Sequence, residues 1–412
     1  MPVGACAVAC ELASNRSPLL PIFLIVLVDV LGMTIILPLL PFYAEHFGAS
    51  ALQVGLLISS YALCQLVAGP FLGDWSDRMG RRKPLLIVSQ LGTFAGFLIL
   101  ASAHSLWVVF LSRVIDGLTA GNLSLAQAYI ADVTEPDNRA RAFGMIGIAF
   151  GIGFLIGPAT SGFLSQYGYA YPILAAAALS ATSVICTATL LPKKEIHIGG
   201  GETGPAGQRL GLLEWKRYAE YFARPGLGKL LWEFFFFAFP FSLFIGGFAL
   251  FAAQRYQWNG HPVGAKEVGY IFAYAGFLGI ILQGGLMGRL VKTFGERTLV
   301  WTGYLSAGIG YTIVAWSRTI PQLLGASTVN SYGMGVLRPS ITALITKKAG
   351  RREQGVVLGL TQSITSISSV IAPVIAGALI DRQLLSEWAL LTAAFGFTGL
   401  VLSLSGGASD RT

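Results

Sequence analysis

Residues 73–83 read GDWSDRMGRRK, and this short run decides how the rest of the chain is interpreted. It separates two long apolar segments, so we expect a short loop between two helices. Gly73 and Gly80 suit a tight turn, and Asp77 between them can face the positive N-terminal end of a neighbouring helix. A cation-rich loop at a membrane surface would explain the charges, but it would not explain the glycine and aspartate framework. The cations of the run are Arg78, Arg81, Arg82 and Lys83.

The chain around this loop is too apolar for a soluble protein. Of its 412 residues, 54% are hydrophobic and 12% are charged, and the mean hydropathy is +0.66. A soluble globular chain carries about 25% charged residues. A disordered chain is excluded as well, because disorder requires low hydrophobicity. The composition therefore predicts an all-α integral membrane protein.

Apolar runs of about 20 residues, long enough to cross a bilayer, occur twelve times and predict two halves of six transmembrane helices. We number these runs spans 1 to 12. They cover residues 19–41, 53–73, 85–103, 106–130, 142–165, 170–191, 228–252, 267–288, 298–316, 320–345, 355–380 and 386–405. The predicted parts are a tail 1–18, an N-terminal half 19–191, a linker 192–227, a C-terminal half 228–405 and a tail 406–412. Within the linker, residues 212–221 can form a short amphipathic helix.

The Lys and Arg residues are distributed unequally between the two sides of these spans. Twenty of them lie in the loops after even-numbered spans and in the linker, and four lie in the remaining loops. Because cytoplasmic loops carry the excess of cations, we expect the even-numbered loops, the linker and both termini in the cytoplasm. The net charge of +8 is then a topology signal that requires no nucleic-acid partner.

Glycine and proline positions recur between the halves at a constant offset of 215 residues. Paired six-helix repeats are typical of transporters that bind substrate between the halves. In the second copy of the loop, Lys292 stands where Asp77 stands in the first, so we expect Asp77 to matter more. The matched pairs are Gly73 and Gly288, Gly80 and Gly295, Gly144 and Gly359, Pro158 and Pro373, and Gly162 and Gly377.

Span 5 carries a glycine series that ends in a proline. Gly147 and Gly151 are four residues apart, a spacing that lets two helix backbones approach closely. Gly157 precedes Pro158, which bends a helix because it lacks the backbone N–H. Close packing and an exporter function are both compatible with this series.

Together these motifs resemble the major facilitator superfamily and, more narrowly, its tetracycline efflux and drug–proton antiporter proteins. In that superfamily the loop at 73–83 is understood as a latch for one conformation of alternating access, and the span 5 series is similar to an antiporter motif. The resemblance implies transport roles for Asp29 and Arg113. It covers nearly the whole chain and is carried by residues 29–32, 37–41, 61–65, 129–132, 139–141, 294–296 and 354–355.

The chain departs from the tetracycline efflux proteins in three spans. Those proteins carry an acid in span 3, a His in span 8 and an acid in span 9. Residues 93–97 contain no acid, and neither residues 268–288 nor residues 299–316 contain a His or an acid. These departures predict a substrate other than tetracycline and a coupling site elsewhere.

Four ionisable residues, Asp29, Arg113, Asp116 and Arg338, lie deep inside the predicted spans. A charge at the bilayer centre costs about 2.5–3.5 kcal/mol, so such residues face a cavity or a partner. Arg113 and Asp116 are three residues apart and share a helical face. They either neutralise each other, or one carboxylate takes up and releases a proton. Asp29 and Asp116 are therefore the candidates for proton coupling.

Polar residues on neighbouring faces predict a substrate cavity. Gln127 follows Asp116 by eleven residues, which continues the same face, and Asn330 lies two turns before Arg338. Two arginines can bind an anionic group; alternatively, Arg338 pairs with an acid of the other half. Glu233 is expected at the membrane interface. The cavity candidates are Gln65, Arg113, Gln127, Asn330, Arg338 and Gln362.

The sequence contains no phosphate-binding GxxxxGK[ST] loop and no catalytic or metal-binding pattern, so it predicts no enzyme, no cofactor and no metal site. The first hypothesis is a proton-coupled exporter of a small apolar or amphipathic compound, of the drug-resistance type. We expect a monomer in a bacterial inner membrane, with substrate, protons and the lipid bilayer as partners. The alternatives are a proton symporter for an organic anion or sugar, and a receptor or scaffold that transports nothing. The latch and the buried charges argue against the last.

Overall fold

The computed structural model describes residues 19–133, 139–191, 215–349 and 353–405, and most of these residues are helical. The first half contains α1 Leu19–His46, α2 Ala51–Met79, α3 Arg82–Ala101, α4 Leu106–Thr119, α5 Asn122–Val133, α6 Arg139–Ser165 and α7 Ala170–Leu190. The second contains α8 Trp215–Ala223, α9 Leu227–Arg255, α10 Ala265–Ile280, α11 Met287–Trp316, α12 Ile320–Lys348, α13 Gln354–Asp381 and α14 Leu385–Leu404. A hairpin of β1 Gln257–Trp258 and β2 His261–Pro262 joins α9 to α10.

The described helices account for all twelve predicted spans. Ten helical stretches are long and apolar enough to cross a membrane. One of them, Ala265–Trp316, has 52 residues and makes two crossings, because Gly295 adopts φ 75° and ψ 157° and breaks it. Helix α12 is also long enough, at 29 residues, but residues such as Asn330 and Arg338 make it less apolar. The protein is therefore an all-α integral membrane protein with twelve transmembrane helices in two halves of six.

Span 4 is interrupted, so the expectation of one continuous helix over 106–130 is wrong. Helix α4 ends at Thr119 and α5 begins at Asn122. Ser89 of α3 replaces the backbone bonds that the break removes. Its hydroxyl donates to the Thr119 carbonyl oxygen, and the Gly121 amide nitrogen donates to Ser89 Oγ at 2.8 Å. Ser89 is fully buried, so these bonds are shielded from water.

Span 8 contains a π-helical turn, Ile281–Leu286, between α10 and α11. Five of its six residues are exposed. A π-helical turn is rare and is often found at functional sites. The hydropathy pattern of span 8 gives no sign of it, because the turn changes the hydrogen-bond register and not the composition.

The halves pack closely at the end of the bundle that carries the β-hairpin, which we call the hairpin end. A Cβ atom on Gly162 of α6 would lie 2.6 Å from the Lys266 carbonyl oxygen, and one on Gly377 of α13 would lie 2.3 Å from that of Ala51. Gly162 and Gly377 are 215 residues apart, as are Ala51 and Lys266, so the repeat makes the same contact twice. The Ala51 amide nitrogen also donates to Asp381 Oδ1 at 3.2 Å.

The same helices separate toward the opposite end, which carries residues 73–83 and which we call the latch end. A Cβ atom on Gly69 of α2, Gly147 of α6, Gly284 of the π-helical turn or Gly359 of α13 would meet nothing within 4 Å in the described part of the chain. The structure is therefore closed at the hairpin end and open at the latch end.

The apolar cores show the same asymmetry. The largest cluster lies at the hairpin end and combines residues of both halves, for example Leu57 with Ala372 and Trp388. At the latch end each half has a cluster of its own, one around Ile25 and Leu86 and another built from α9, α11, α12, α13 and α14. The hairpin end thus joins the halves, and the latch end lets them move apart.

Helix α8 of the linker begins at Trp215, three residues after the predicted start, and residues 192–214 lie outside the described residues. Just after the helix, Arg224 donates to both carboxylate oxygens of Glu353, at 3.0 and 2.8 Å. The guanidinium also lies 4.3 Å from the centre of the Tyr221 ring. These contacts attach α8 to the C-terminal half.

Candidate functional site

A buried ion pair lies at the centre of the N-terminal half. Arg113 Nη1 lies 3.2 Å from Asp116 Oδ2, and the two side chains are only 6% and 7% exposed. Both residues project from α4 three positions apart, as their spacing predicts. The pair neutralises its own charge, which lowers the cost of burying both groups in an apolar environment.

Asp29 of α1 faces the same cluster but has no cation partner within the described part of the chain. Its carboxylate interacts with the side chains of Gln90 on α3 and Ser183 on α7, and it is electrostatically coupled to Asp116. Gln90 Nε2 donates to Ser183 Oγ at 2.7 Å, and both residues are fully buried. Sequence reasoning missed Gln90 and Ser183, although a polar residue in an otherwise apolar span is the signal that marks them.

Two further side chains complete this acidic cluster. Tyr61 of α2 is electrostatically coupled to Asp29, Arg113 and Asp116, and Thr93 of α3 interacts with Asp116. Gln65, one turn after Tyr61, donates from Nε2 to the Tyr61 hydroxyl at 3.3 Å. The predicted cavity residue Gln65 therefore reaches the cluster through Tyr61.

Arg113 has an unused hydrogen-bond donor. Its guanidinium carbon lies 5.7 Å from the centre of the Phe97 ring, and Nε donates to Ser112 Oγ at 3.4 Å. Nη2 is buried and has no partner among the described residues. An unpaired buried donor on a charged group is costly, so this nitrogen is available to a further acceptor.

The structure does not place Gln127 on the face of Arg113 and Asp116. Gln127 lies on α5, beyond the break in span 4, and its side chain is exposed. A count of 100° per residue holds only along a continuous helix, so the break removes the reason for placing Gln127 on that face, and its role in a cavity stays a prediction.

In the C-terminal half, Arg338 is exposed on α12 and forms no ion pair within the described residues. The alternative in which it pairs with Asp29 or Asp116 is therefore absent from this conformation. Asn330, two turns away, is buried against Gly310, and its Oδ1 has no partner there. Asn330 is thus part of the helix packing, and Arg338 remains open to a ligand.

Span 11 carries a polar stripe on one face of α13, and the structure divides it into two parts. Its residues are Gln362, Thr365, Ser366 and Ser369. Gln362 is exposed on α13 where the two halves separate. Ser369, further along the helix, lies 3.5 Å from Ser242 Oγ on α9 and belongs to the packing within the C-terminal half. Of these residues, only Gln362 remains a candidate for substrate contact.

Glu233 is fully buried inside the C-terminal half, where it forms an ion pair, and its expected place at the membrane interface stays a prediction. Arg297 Nη1 donates to both carboxylate oxygens at 2.9 Å, and Lys229 Nζ lies 3.8 Å from Oε1. Arg297 also donates to the backbone carbonyl oxygen of Ser403. The Tyr304 hydroxyl donates to the backbone carbonyl oxygen of Glu233. This network joins α9, α11 and α14 near the latch end.

The loop at 73–83 is held by contacts within its own half. Gly80 has φ 61° and makes the turn, whereas Gly73 lies inside α2, so the expected turn at Gly73 is wrong. Arg82 Nε lies 2.9 Å from Asp132 Oδ2 of α5, and Arg82 Nη1 donates to Ser76 Oγ at 3.0 Å. Two cations have further contacts. Arg78 pairs with Asp74 at 2.8 Å, and Lys83 donates to the carbonyl oxygens of Ala188 and Leu191. The side chain of Asp77 falls outside the described residues.

The span 5 glycines pack α6 on two different neighbours. A Cβ atom on Gly157 would lie 2.0 Å from Thr34 Oγ1 of α1, and the Thr34 hydroxyl donates to the Gly153 carbonyl oxygen at 2.9 Å. On the other side, the Pro158 carbonyl oxygen would lie 2.5 Å from a Cβ atom on Gly269 of α10. The series therefore links α1 to the other half through α6. Gly151 faces Ile280 of α10, and Gly147 faces open space.

Comparison with known proteins gives the same architecture. The sequence profile of the Major Facilitator Superfamily matches residues 22–287 and 282–406. The class G tetracycline resistance protein of Vibrio anguillarum is 32% identical over 87% of this chain and 89% of that protein. The class C protein of Escherichia coli is 28% identical over 89% of this chain and 90% of that protein. The quinolone resistance protein NorA of Staphylococcus aureus is 29% identical over 85% of this chain and 87% of that protein.

Solved structures agree at the level of the fold. The nucleoside transporter NupG superposes with a TM-score of 0.75 at 13% identity, covering 94% of this chain and 99% of that one. The human organic anion transporter MFSD10 superposes with a TM-score of 0.69 at 22% identity, covering 93% of this chain and 98% of that one. With twelve spans in two similar halves, a buried charge cluster and a family profile that matches nearly its whole length, the chain belongs to the Major Facilitator Superfamily and is a secondary transporter of small molecules, not an enzyme.

Proposed function

We propose that the protein exports a small amphipathic compound in exchange for protons, by alternating access. The observation that carries this proposal is the buried cluster of Asp29, Asp116 and Arg113. The resistance proteins for tetracyclines and quinolones among its relatives support export as the direction. The unpaired Arg338 and the exposed Gln362 are the substrate contacts in the C-terminal half, and Arg338 suits a compound that carries an acidic group.

The cluster contains two carboxylates and one guanidinium. It is neutral when one carboxylate holds a proton, and it carries one negative charge when neither does. Because the two acids interact, they share this proton as a pair. Loss of the proton leaves an uncompensated charge in an apolar environment, which favours a conformation that admits water or substrate.

The positive charge of the even-numbered loops supports a topology with the latch end and both termini in the cytoplasm. The described conformation is then open to the cytoplasm and closed to the outside. The protein works as a monomer in a bacterial inner membrane, and its partners are substrate, protons and lipid.

The proposal is tested in proteoliposomes with an imposed pH gradient. A panel of a tetracycline, a fluoroquinolone and a lipophilic dye cation supplies the probes. We expect wild-type protein to accumulate at least one compound against its gradient when the substrate-receiving side is acidic, and Asp29→Asn and Asp116→Asn to abolish this. Glu387→Gln removes an exposed acid at the start of α14 and serves as the matched control.

Two outcomes would contradict the proposal. If both Asp29→Asn and Asp116→Asn retain transport driven by the pH gradient, the cluster does not couple protons. If the gradient drives uptake in the same direction as proton flow, the protein is a symporter.

A further inference from the structure

Helix α3 presents bare backbone to the Asp116 side chain. A Cβ atom on Gly96 would lie 3.0 Å from Asp116 Cβ and 3.2 Å from the Ser112 carbonyl oxygen. These distances are shorter than ordinary van der Waals contacts, so a larger residue at position 96 would displace α4. Gly92, one turn earlier, meets Thr119 of α4 in the same way.

Every helix packed around this position contributes to the surroundings of Asp116. The charged and titratable groups are Asp29 from α1, Tyr61 from α2 and Arg113 from α4 itself, and Thr93 of α3 adds a hydroxyl. The carboxylate therefore stands between α3 and α4, next to Arg113, in space that exists because residue 96 has no side chain.

We propose that Gly96 and Asp116 form one unit, in which the glycine provides the room for the coupling carboxylate beside Arg113. This inference rests on the proposed proton coupling and deepens it, because it identifies what fixes the position of Asp116, one of the two acids that share the proton. A Cβ atom at position 96 would lie 3.0 Å from Asp116 Cβ, so side chains at the two positions would compete for the same space between α3 and α4. A carboxylate carried by α3 at position 96 would therefore serve as well, provided that residue 116 becomes the glycine.

The reciprocal exchange Gly96→Asp with Asp116→Gly tests this directly. The purified protein is reconstituted in liposomes, and the stretching band of protonated carboxylic acids is followed by infrared difference spectroscopy during a pH titration. We expect Asp116→Asn to lose one titrating buried carboxyl and the exchange variant to regain it. Transport driven by the pH gradient, measured with the most active compound of the panel, should be lost and regained in the same two variants.

A milder variant keeps the test decisive if the exchanged protein does not fold. Gly96→Ala adds only the Cβ atom that would press on Asp116, so the titration midpoint of the buried carboxyl should shift. Gly69→Ala is the matched control, because a Cβ atom there meets nothing within 4 Å in the described part of the chain. It should titrate as wild type does.

The inference is overturned if Asp116→Asn keeps the full carboxyl signal. It is also overturned if the folded exchange variant fails to regain that signal, or if Gly96→Ala titrates like Gly69→Ala. The infrared signal does not depend on transport. Absence of gradient-driven transport in wild-type protein would therefore reject the proposed function while the spectra still decide the placement of the acid.

Discussion

At the scale of single residues, the protein contains two kinds of buried charge. Arg113 and Asp116 face a cluster with an unpaired donor and a second acid, so their arrangement has capacity left for a proton or a ligand. In contrast, both carboxylate oxygens of Glu233 already accept hydrogen bonds from Arg297. The first arrangement is suited to transport and the second to stability.

We therefore predict that Glu233→Ala destabilises the protein without changing the pH dependence of transport. Removing one partner of a buried ion pair leaves an uncompensated charge and typically costs about 3–5 kcal/mol; because Arg297 is one-third exposed, we expect the lower end of that range. Unfolding in mixed micelles measures the loss. The control is Asp74→Ala, which breaks an exposed pair and should cost about 0–1 kcal/mol. Equal stability of the two variants would contradict the prediction.

At the scale of the elements, the break in span 4 is maintained from outside the span. Ser89 of α3 both donates to the Thr119 carbonyl and accepts from the Gly121 amide. The break lies one turn after Asp116, so it fixes where the acid-bearing helix ends. Span 4 therefore depends on α3 twice, through Ser89 at the break and through Gly96 beside the acid.

Ser89→Ala should leave the Thr119 carbonyl and the Gly121 amide with only the bond between them, at 2.7 Å, and the loss of the two Ser89 bonds should cost about 1–3 kcal/mol. We expect faster hydrogen exchange at the amides that begin α5, together with a lower midpoint of thermal unfolding. Ser102→Ala removes an exposed hydroxyl that bonds only the preceding turn, and it should change neither measurement. Unchanged exchange in Ser89→Ala would show that the break is stable without this hydroxyl.

The hydropathy of the chain suffices to predict the twelve spans, because length and apolarity alone decide membrane crossing. The break in span 4 is not predictable in this way. Neither Ala120 nor Gly121 forbids a helix, and the stabilising group, Ser89, lies in another helix. Asp116 stands out in the sequence because a buried charge is rare, whereas Gln90 is uncharged and does not stand out. The burial of Glu233 depends on Arg297, which is 64 residues away in the chain.

At the scale of the whole molecule, the repeat predicted from glycine and proline positions is also a repeat of contacts. Gly162 and Gly377 bring the two halves together at equivalent places, each against a backbone carbonyl. Only glycine permits an approach this close. The closed hairpin end therefore depends on two small surfaces that the transport cycle must separate.

Gly377→Ala should weaken the closed hairpin end, because its Cβ atom would lie 2.3 Å from the Ala51 carbonyl oxygen. Overpacking of this kind costs about 1–3 kcal/mol, which shifts the ratio of the two conformations by about 5-fold to 150-fold. Spin labels at Ser102 and Thr319, on opposite halves, report the separation by electron resonance. Gly359→Ala, which faces open space, is the control. A distance distribution identical to that of wild type would contradict the prediction.

Because an apolar cluster joins the halves at the hairpin end, opening that end should change the heat capacity of the protein. Opening that end exposes residues such as Leu57 and Trp388, which are now fully buried. Exposure of apolar surface to water raises the heat capacity by about 0.45 cal/K/mol for each Å². A plot of the logarithm of the opening equilibrium against inverse temperature should therefore be curved, whereas rearrangement of polar contacts alone would leave it nearly straight. Cooling should weaken the cluster and favour the outward-open state.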